Sequence, residues 1–459
     1  MKQDMLFKMT LFTKILNKSF AKNKFTISAL CLLAVLNFSN ANAENLLEVY
    51  AMAYETDPIL KQVISERQSV GEGEVQAFAA FLPNISAFGA TESINQDKPT
   101  TRDNDVTFNS HGYSLDLTQS IFDNRNYVNY RISNLNISRA DAILSAAQQE
   151  LIIRTADAYF RTLAAEDTVE FSLAEKKSIG RQLDQAKRRY EVGIIAITDV
   201  HEAQAGFDNA TAELIAAENE LLVAKETLRE LTSQYIDKVA PLKEAIPLEP
   251  PTPENIEHWV DQAVIGNYAL MAAKEDTKIQ KENINLQRSG HYPTLGLQAS
   301  YGYSKSNGPN SEFAPQYHER VIGVNVSIPI YEGNSVTSKT RQAQYDFQTS
   351  QDAYNEVLNS TMKTTRSSYL NVLSEVSRVR ALKQAVISNE SALKATEAGF
   401  EVGTRTIVDV LNVQSELFRA KKEYSNSRYI YILNILRLKQ ASGELARIDL
   451  EKVNSWLSN

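Results

Sequence analysis

The sequence predicts a mainly α-helical protein with a small β-component, built from two internal repeats. Three observations indicate this class. Gly and Pro are scarce, with 17 and 12 occurrences in 459 residues, whereas an all-β protein of this size needs frequent turns. Long segments repeat apolar residues at helical spacing, while four short segments alternate apolar and polar residues. Similar stretches also recur at a fixed distance along the chain.

The first 43 residues have the pattern of a secretory signal peptide. A lysine-rich segment that ends at Lys24 precedes an apolar stretch from Phe25 to Phe38, and Ala41-Asn42-Ala43 forms an A-x-A cleavage site. We therefore expect cleavage after Ala43. A transmembrane anchor is the alternative interpretation, but the apolar stretch is short for spanning a bilayer.

Cysteine and histidine usage predicts a protein with no metal site and no other cofactor. The single cysteine, Cys31, excludes a disulfide scaffold and lies within the stretch that we expect to be removed. Lipidation of Cys31 is the alternative, although the bulky Leu30 before it disfavours that modification. The five histidines are scattered, without the spacing of metal ligands.

The charge balance argues against nucleic acid as a partner. The formal net charge of the chain is −8, and loss of the lysine-rich first segment makes it more negative. A chain with this balance lacks the basic surface that binds a polyanion.

Two copies of one unit follow the signal segment. Tyr190-Glu191-Val192-Gly193 recurs as Phe400-Glu401-Val402-Gly403, and Asp199-Val200 recurs as Asp409-Val410, in both cases with an offset of 210 positions. A series of matches in the same order is hard to obtain by chance. We therefore predict two structural repeats.

The repeats set the expected domain layout. Five prolines fall within residues 235–253, and such clustering prevents a helix. We expect the signal peptide at 1–43, repeat one at 44–234, the Pro-rich linker at 235–253, repeat two at 254–443 and a C-terminal segment at 444–459.

Each repeat is predicted to contain a long helical hairpin, at about 126–234 and about 334–443. Apolar residues follow heptad spacing from Val200 to Leu231 and from Val410 to Leu438. A period of 3.5 residues is typical of coiled-coil packing. An ordinary amphipathic helix against a core is the alternative.

Local signals predict where each hairpin turns. Gly193 and Gly403 stand where a left-handed C-terminal cap is expected. Thr406 followed by Asp409 resembles a capping box that restarts a helix. The hairpins should therefore turn at these two glycines.

Four segments read as strands, and their Tyr-bearing apolar face is typical of transmembrane barrel strands. Two soluble hairpins with one wet face are the alternative. Four strands are too few to close a barrel, so the barrel interpretation requires an oligomer. No apolar run after the signal segment is long enough for a transmembrane helix. The expected strands lie at about 84–95, 110–121, 294–304 and 320–329, with polar outward-facing loops at Gln96–Asn109 and Ser304–Glu319.

These features together resemble the TolC family of bacterial outer-membrane efflux proteins. The stretches from Tyr190 to His201 and from Ala398 to Leu411 carry the resemblance, which extends over essentially the whole chain after the signal segment. The resemblance implies a homotrimer in the outer membrane. Each protomer would give four strands to one shared transmembrane β-barrel and its helical hairpins to one periplasmic α-barrel tunnel.

The resemblance also implies a function. Members of the family serve as the exit duct for tripartite drug efflux and type I protein secretion. The expected partners are therefore outer-membrane lipid, a periplasmic adaptor (membrane fusion protein) and an inner-membrane pump. Engagement of adaptor and pump would untwist the hairpins and open the periplasmic tip.

Matching individual positions implies gate tethers at that tip. Arg405 matches an arginine that ties the inner hairpin to Thr198 and Asp199 of the outer hairpin. Gln182 and Glu397 match a second tethering pair. Weak contacts of this kind would hold the tip closed.

Two positions depart from the family pattern. Phe400 replaces a tyrosine whose hydroxyl supplies a tether, and Asn412 replaces one of two acidic residues that ring the constriction. Asp409 matches the other acidic position. Capping of helix ends is the alternative role for Asp199, Asp409 and Arg405.

The tips themselves are expected to receive the adaptor, although a plain helix–turn–helix connection is an equally good interpretation for any one residue. These docking positions are Val192, Gly193, Val402, Gly403 and Thr404.

The sequence does not predict an enzyme. It contains no nucleophile motif, no phosphate-binding glycine loop and no distinctive carboxylate pair. The alternative function is that of a periplasmic coiled-coil adaptor or scaffold without a barrel.

Overall fold

The computed structural model of the protein describes residues 43–96, 106–307 and 316–458. Residues 1–42 of the expected signal peptide, including Cys31, lie outside the described residues, as do 97–105 and 308–315 of the two expected loops. Residues from Asn45 to Ser458 belong to one compact unit.

Nine helices and four strands follow one another within the described ranges. The helices are α1 (Leu46–Thr56), α2 (Pro58–Ala79), α3 (Asn124–Glu191), α4 (Ile197–Thr232), α5 (Ile256–Gly266), α6 (Tyr268–Arg288), α7 (Ser335–Glu401), α8 (Ile407–Ser442) and α9 (Arg447–Asn454). The strands are β1 (Asn84–Gln96), β2 (Val106–Phe122), β3 (Thr294–Ser306) and β4 (Gln316–Ser327), with a single 3-10 turn at Ser289–His291.

The order of elements repeats. Helices α1 and α5, strands β1 and β3, and helices α4 and α8 each begin 210 positions apart. The second half thus reproduces the first element by element, which confirms the predicted fold class of a mainly helical protein with two internal repeats.

The two long helices are the largest elements. Helix α3 has 68 residues and α7 has 67, so each is roughly 100 Å long at a rise of about 1.5 Å per residue. Each forms an antiparallel hairpin with a 36-residue helix, α4 or α8. The remaining length of α3 is covered by α2 and α6, and α6 also packs on α7.

The predicted heptad positions face the helix–helix contacts. In α4, Ala203, Ala210, Leu214 and Leu228 are buried. In α8 the same holds for Val410, Leu417, Ala420 and Leu438, among others. Small residues alternate with large ones along this seam, which lets neighbouring helices approach closely.

The four strands form one antiparallel sheet in the order β1-β2-β3-β4. The β2–β3 pairing joins the two repeats into a single sheet, so the strands are not two separate hairpins. Strands β2 and β4 both begin earlier than the alternating apolar segments, at Val106 and Gln316. Backbone hydrogen bonds sustain the ladder there, and these need no apolar side chain.

One face of the sheet is apolar and exposed. Phe122, Leu115, Ile322, Val324 and Val326 are each at least 40% exposed. A face of this size left uncovered in one chain marks a surface that contacts lipid or another molecule. Within the described residues, no helix has both the length and the apolar character required to cross a membrane.

A buried ion pair connects the short helices to α3. The Asp57 side chain is almost completely buried, and its Oδ2 accepts a hydrogen bond from the Leu60 N–H at 2.7 Å, which caps α2. Arg154 of α3 donates to both carboxylate oxygens, at 3.0 and 2.8 Å. Burial alone would raise the pKa of Asp57, but the bonds from Arg154 and Leu60 outweigh it and lower the pKa.

We expect Asp57→Ala to lower the free energy of unfolding by about 3 kcal/mol at neutral pH, because it removes a helix cap and leaves Arg154 without its buried partner. The pKa of Asp57 is lower in the folded protein than in the unfolded chain. Its carboxylate therefore contributes fully to folding stability above the ordinary pKa, and this contribution is lost as the pH falls through the lowered pKa. Denaturant unfolding of the detergent-solubilised protein measures the change.

The matched control is Asp141→Ala, which removes an exposed ion pair with Arg67. Exposed pairs contribute about 0–1 kcal/mol. Equal losses in the two variants would contradict the role given to the buried pair.

Candidate functional site

The ends of the two hairpins are built by the same backbone motif. Gly193 and Gly403 have φ angles of +77° and +80°, where a residue with Cβ is strained. The Gly193 N–H donates to Tyr190 O at 2.8 Å and the Ile194 N–H to Arg189 O at 2.9 Å. The turn at Gly403 repeats both bonds. This Schellman arrangement confirms the predicted left-handed caps.

The turns hold apolar side chains out in solvent. Val192 is 69% exposed and Val402 is 76% exposed, while Gly193, Gly403 and Thr404 are also exposed. All five predicted docking positions therefore lie on the outer surface of the tips. Two protruding valines on rigid turns offer a small apolar contact to another molecule.

The helices that follow the turns begin differently. At α8, the Asp409 N–H donates to Thr406 Oγ1 at 3.2 Å, and the Thr406 N–H donates to Asp409 Oδ2 at 2.9 Å. This is the predicted capping box. At α4, the Ala196 N–H donates to Asp199 Oδ2 at 3.3 Å, but Ala196 has no side-chain acceptor to return the bond.

Capping also sets the electrostatics of Asp409. The bonds from Thr406 are the main cause that lowers the pKa of the Asp409 carboxyl, and the positive charge of Arg405 adds to it. Asp409 is therefore ionised at neutral pH. Asn412 lies three positions further along α8 and is exposed, so both predicted constriction residues lie near the start of the same helix.

A small apolar cluster joins all four helices at the tip. Phe400 of α7 is 8% exposed. It belongs to a cluster with residues from α3, α4 and α8, and the Arg189 guanidinium of α3 lies 4.6 Å from the centroid of its ring. Phe400, which we predicted to stand in place of a tyrosine, thus packs as an apolar anchor between the hairpins. The cluster consists of Leu183, Ala186, Ala203, Phe400, Ile407 and Val410.

The predicted tethers are not formed within one chain. Among the described residues, no hydrogen bond or ion pair joins Arg405 to Thr198 or Asp199. Arg405 is exposed, and its Cγ lies close to Gly399, where a Cβ would come within 2.8 Å. The side chain thus folds back over its own turn.

The second predicted pair is also unjoined within the described chain. Gln182 of α3 has a buried Oε1 without a hydrogen-bond partner, and Glu397 of α7 is half-buried. Among the described residues, the two side chains make no hydrogen bond to each other.

A polar seam runs between α3 and α8 above the tip. Tyr429 donates to Asp167 Oδ2 at 2.7 Å, and Ser425 also bonds that carboxylate. Further toward the tip, Lys422 Nζ lies 3.5 Å from the buried Glu175 carboxylate and 3.8 Å from that of Glu213 on α4. We call these six residues the polar seam.

One buried amide near the seam has no partner at all. Gln414 of α8 is fully buried, and both its Oε1 and its Nε2 lack a hydrogen bond. The residue at the matching position of repeat one, Gln204, is exposed at its amide and donates to Asp208 at 3.0 Å. A buried amide without hydrogen-bond partners weakens the packing of α8 against its neighbouring helices by about 1–3 kcal/mol.

Several of these residues have only weak signals in the sequence. Arg189 lies in a basic last turn of α3, which suggests only a favourable helix end. Glu175, Lys422 and Gln414 sit on helices whose mutual packing the sequence does not define. Across the described ranges, no group of His, Asp or Glu side chains is arranged to hold a metal ion.

Comparison with known proteins agrees with the resemblance in the sequence. Residues 49–234 and 259–444 each match the outer membrane efflux protein family. The chain is 39% identical to the outer membrane protein TolC of Vibrio cholerae, over 90% of this chain and 94% of that protein. It is 36% identical to TolC of Escherichia coli, over 93% of this chain and 88% of that protein.

A more distant relative is named for secretion. The chain is 28% identical to the alkaline protease secretion protein AprF of Pseudomonas aeruginosa, over 90% of this chain and 87% of that protein.

Solved structures show the same fold. The Campylobacter jejuni CmeC outer membrane channel aligns with a TM-score of 0.75 at 16% identity, over 91% of each chain. CusC aligns with a TM-score of 0.75 at 15% identity, over 87% of this chain and 92% of that chain. These likenesses concern the fold, and they confirm the fold class of a helical tunnel with a small sheet.

Because Glu175 of the polar seam is buried, we expect the free energy of unfolding to depend on pH. Burial is the main cause that raises the pKa of Glu175, with Lys422 opposing it and Glu213 adding to it. Between the ordinary pKa and the raised one, the native state binds more protons than the unfolded state, so stability rises as the pH falls. We expect Glu175→Gln to be slightly more stable than the parent at neutral pH, with the difference vanishing near the ordinary pKa.

Thermal unfolding across a pH series measures this effect. Glu213→Gln is the control, because Glu213 is 60% exposed and its loss should change stability by no more than about 0.5 kcal/mol at any pH. A Glu175→Gln variant that loses stability at neutral pH would contradict the argument.

Proposed function

The chain belongs to the outer membrane efflux protein family, and from this premise we propose that three copies form one outer-membrane channel with a periplasmic helical tunnel. The channel serves as an exit duct for drug efflux and protein secretion. The observation that carries this proposal is the open four-stranded sheet with an exposed apolar face, attached to helices roughly 100 Å long.

The sheet supports assembly. Strands β1 and β4 each have one unpaired edge within the described chain, and exposed edges of this length invite pairing with another copy. Three copies supply twelve strands if each gives four, which is enough for a closed barrel with a lumen. The exposed apolar side chains then face lipid and the polar side chains face the lumen.

The tip supports a reversible gate. Thr198 and Arg405 are exposed within one chain, so a tether between them joins neighbouring copies. Arg405 brings the charge, and Thr198 with Asp199 brings the acceptors. Gln182 and Glu397 supply a second contact, while Phe400 anchors the hairpins through apolar packing. Each tether contributes about 0.5–1.5 kcal/mol, and threefold symmetry triples it.

A gate of this strength can be opened by binding. A periplasmic adaptor that docks on the exposed tips, and an inner-membrane pump behind it, need only bind the open tip more tightly than the closed one. Untwisting of the hairpins then widens the tunnel. The relative named for alkaline protease secretion suggests that protein cargo is included.

The adaptor or scaffold alternative fits less well. It gives no role to the exposed apolar sheet, and the comparisons favour an efflux channel over it. Fractionation separates the two interpretations: the channel is extracted only with detergent and runs as a heat-modifiable trimer on unboiled gels. The proposal involves no catalytic step.

We expect Arg405→Ser to increase single-channel conductance in planar bilayers, because loss of three equivalent tethers favours the open tip. A change of about 1.4 kcal/mol shifts the ratio of open to closed channels tenfold. Arg419→Ser is the control, since Arg419 is exposed on α8, the helix that follows the turn of Arg405, and pairs with Glu416. Parental conductance in the Arg405 variant would refute the tether.

We expect Asp409→Asn to reduce cation selectivity, because a ring of three carboxylates attracts cations and the amide keeps the cap acceptor without the charge. The reversal potential in a salt gradient measures selectivity. Asn412→Asp should act in the opposite direction by restoring a second ring. Unchanged reversal potentials in both variants would exclude these positions from the constriction.

A further inference from the structure

Charges on the sheet are sorted by face. Directly paired residues share a face, and the register pairs Tyr303 with His318, Tyr301 with Arg320, and His111 with Lys305. All four basic side chains therefore lie on the apolar face. The acidic residues of the described strands, Glu92, Asp116 and Glu319, lie on the opposite face.

The sorting is sharpest on β4. The segment His318-Glu319-Arg320 alternates in sign with the period of the strand. No salt bridge to Lys305 or Arg320 is formed by the described residues, because no carboxylate shares their face. Among the described residues, Lys305 and Arg320 are therefore two cations without a counterion, on a face that is apolar along the rows nearer the helices.

The cations occupy the half of the apolar face that is remote from the helices. Leu295, paired with Val326, lies at the end nearest the helices, and Ala299, paired with Ile322, lies midway. From Leu295 to Lys305 the strand rises roughly 33 Å at about 3.3 Å per residue, close to the thickness of a bilayer's hydrocarbon core. Lys305 is thus at the remote end, whereas Arg320, paired with Tyr301, lies roughly 13 Å nearer the middle along the strand, from where its long side chain can extend toward the headgroups.

Aromatic side chains hold this end in place. The rings of Tyr113 and Tyr303 stack at 5.2 Å, and Tyr301 Oη lies 2.9 Å from His318 Nδ1. The Arg320 guanidinium lies 5.7 Å from the Tyr301 ring centroid. Tyrosines of this kind mark the interface between hydrocarbon and headgroups.

We propose that Lys305 and Arg320, flanked by His111 and His318, bind the phosphate groups of anionic lipids in the outer leaflet. This inference rests on the proposed function, because it requires the sheet to span the membrane with its helix-free end outward. Lys and Arg bond phosphate oxygens through charge-assisted hydrogen bonds. The apolar rows beside them take the acyl chains, so the ligand must be a lipid rather than free phosphate.

The test uses the full-length protein in neutral detergent, with native mass spectrometry to count bound lipids. The probes are phosphatidic acid, phosphatidylcholine of the same chain length and inorganic phosphate. The parent should retain phosphatidic acid in preference to phosphatidylcholine. Each of Lys305→Gln and Arg320→Gln should weaken that binding about fivefold, since one basic residue near an anionic surface contributes about 1 kcal/mol.

Lys187→Gln with Arg188→Gln is the matched control, because it removes two exposed cations at the far tip of α3 and should leave lipid binding unchanged. Equal retention of phosphatidic acid by the Lys305→Gln/Arg320→Gln variant and the parent would overturn the proposal. So would displacement of the lipid by inorganic phosphate.

Bilayer conductance keeps the two proposals separate. If the double variant still forms channels but binds lipid like the parent, only the lipid site is refuted. If the parent forms no channel and does not enter bilayers, the proposed function fails and the lipid site fails with it.

Discussion

The whole structure depends on covering one apolar stripe along a helix of 68 residues. An isolated helix of that length has no stable fold of its own in water, because most helical stability in proteins comes from packing. Helix α4 covers the half of α3 near the tip, and the short helices α2 and α6 cover the rest. The buried ion pair of Asp57 and Arg154 holds the start of α2 against α3. In the second repeat, α8 packs along α7 in the same way and forms the second hairpin.

The tip combines good apolar packing with poorly satisfied polar groups. Phe400 and its neighbours form a dry cluster, whereas Gln414 and Gln182 bury amide atoms without partners. Glu175 keeps a carboxylate where burial disfavours its charge. Such groups lower the free energy needed to part α8 from the outer hairpin, because water would satisfy them once the helices separate. This suits the proposed gate, whose helices part and rejoin, better than it would suit a permanent core.

The sequence predicted those features that depend on residues close together in the chain. The left-handed conformation at Gly193 and Gly403 and the box of Thr406 and Asp409 depend on residues within a few positions of one another. The contact of Arg189 with Phe400 joins helices far apart in the chain, so spacing could not predict it. Strand β2 begins earlier than expected because its first residues pair through backbone groups. No bond joins Arg405 to Asp199 among the described residues, and they belong to different turns that are 206 positions apart in the chain.

Helices α4 and α8 begin with different capping residues, and this difference affects the symmetry of an assembled tip. In a trimer, six hairpin tips form a ring, and their backbones are alike because both turns use the same motif. Their chemistry alternates, however, with Thr404 and a full capping box on one kind of tip and Ile194 and Ala196 on the other. The backbone of the ring therefore has approximate sixfold symmetry, whereas its side chains have only threefold symmetry. A molecule with six identical arms can fit every tip sterically, yet it meets two distinct surfaces in turn.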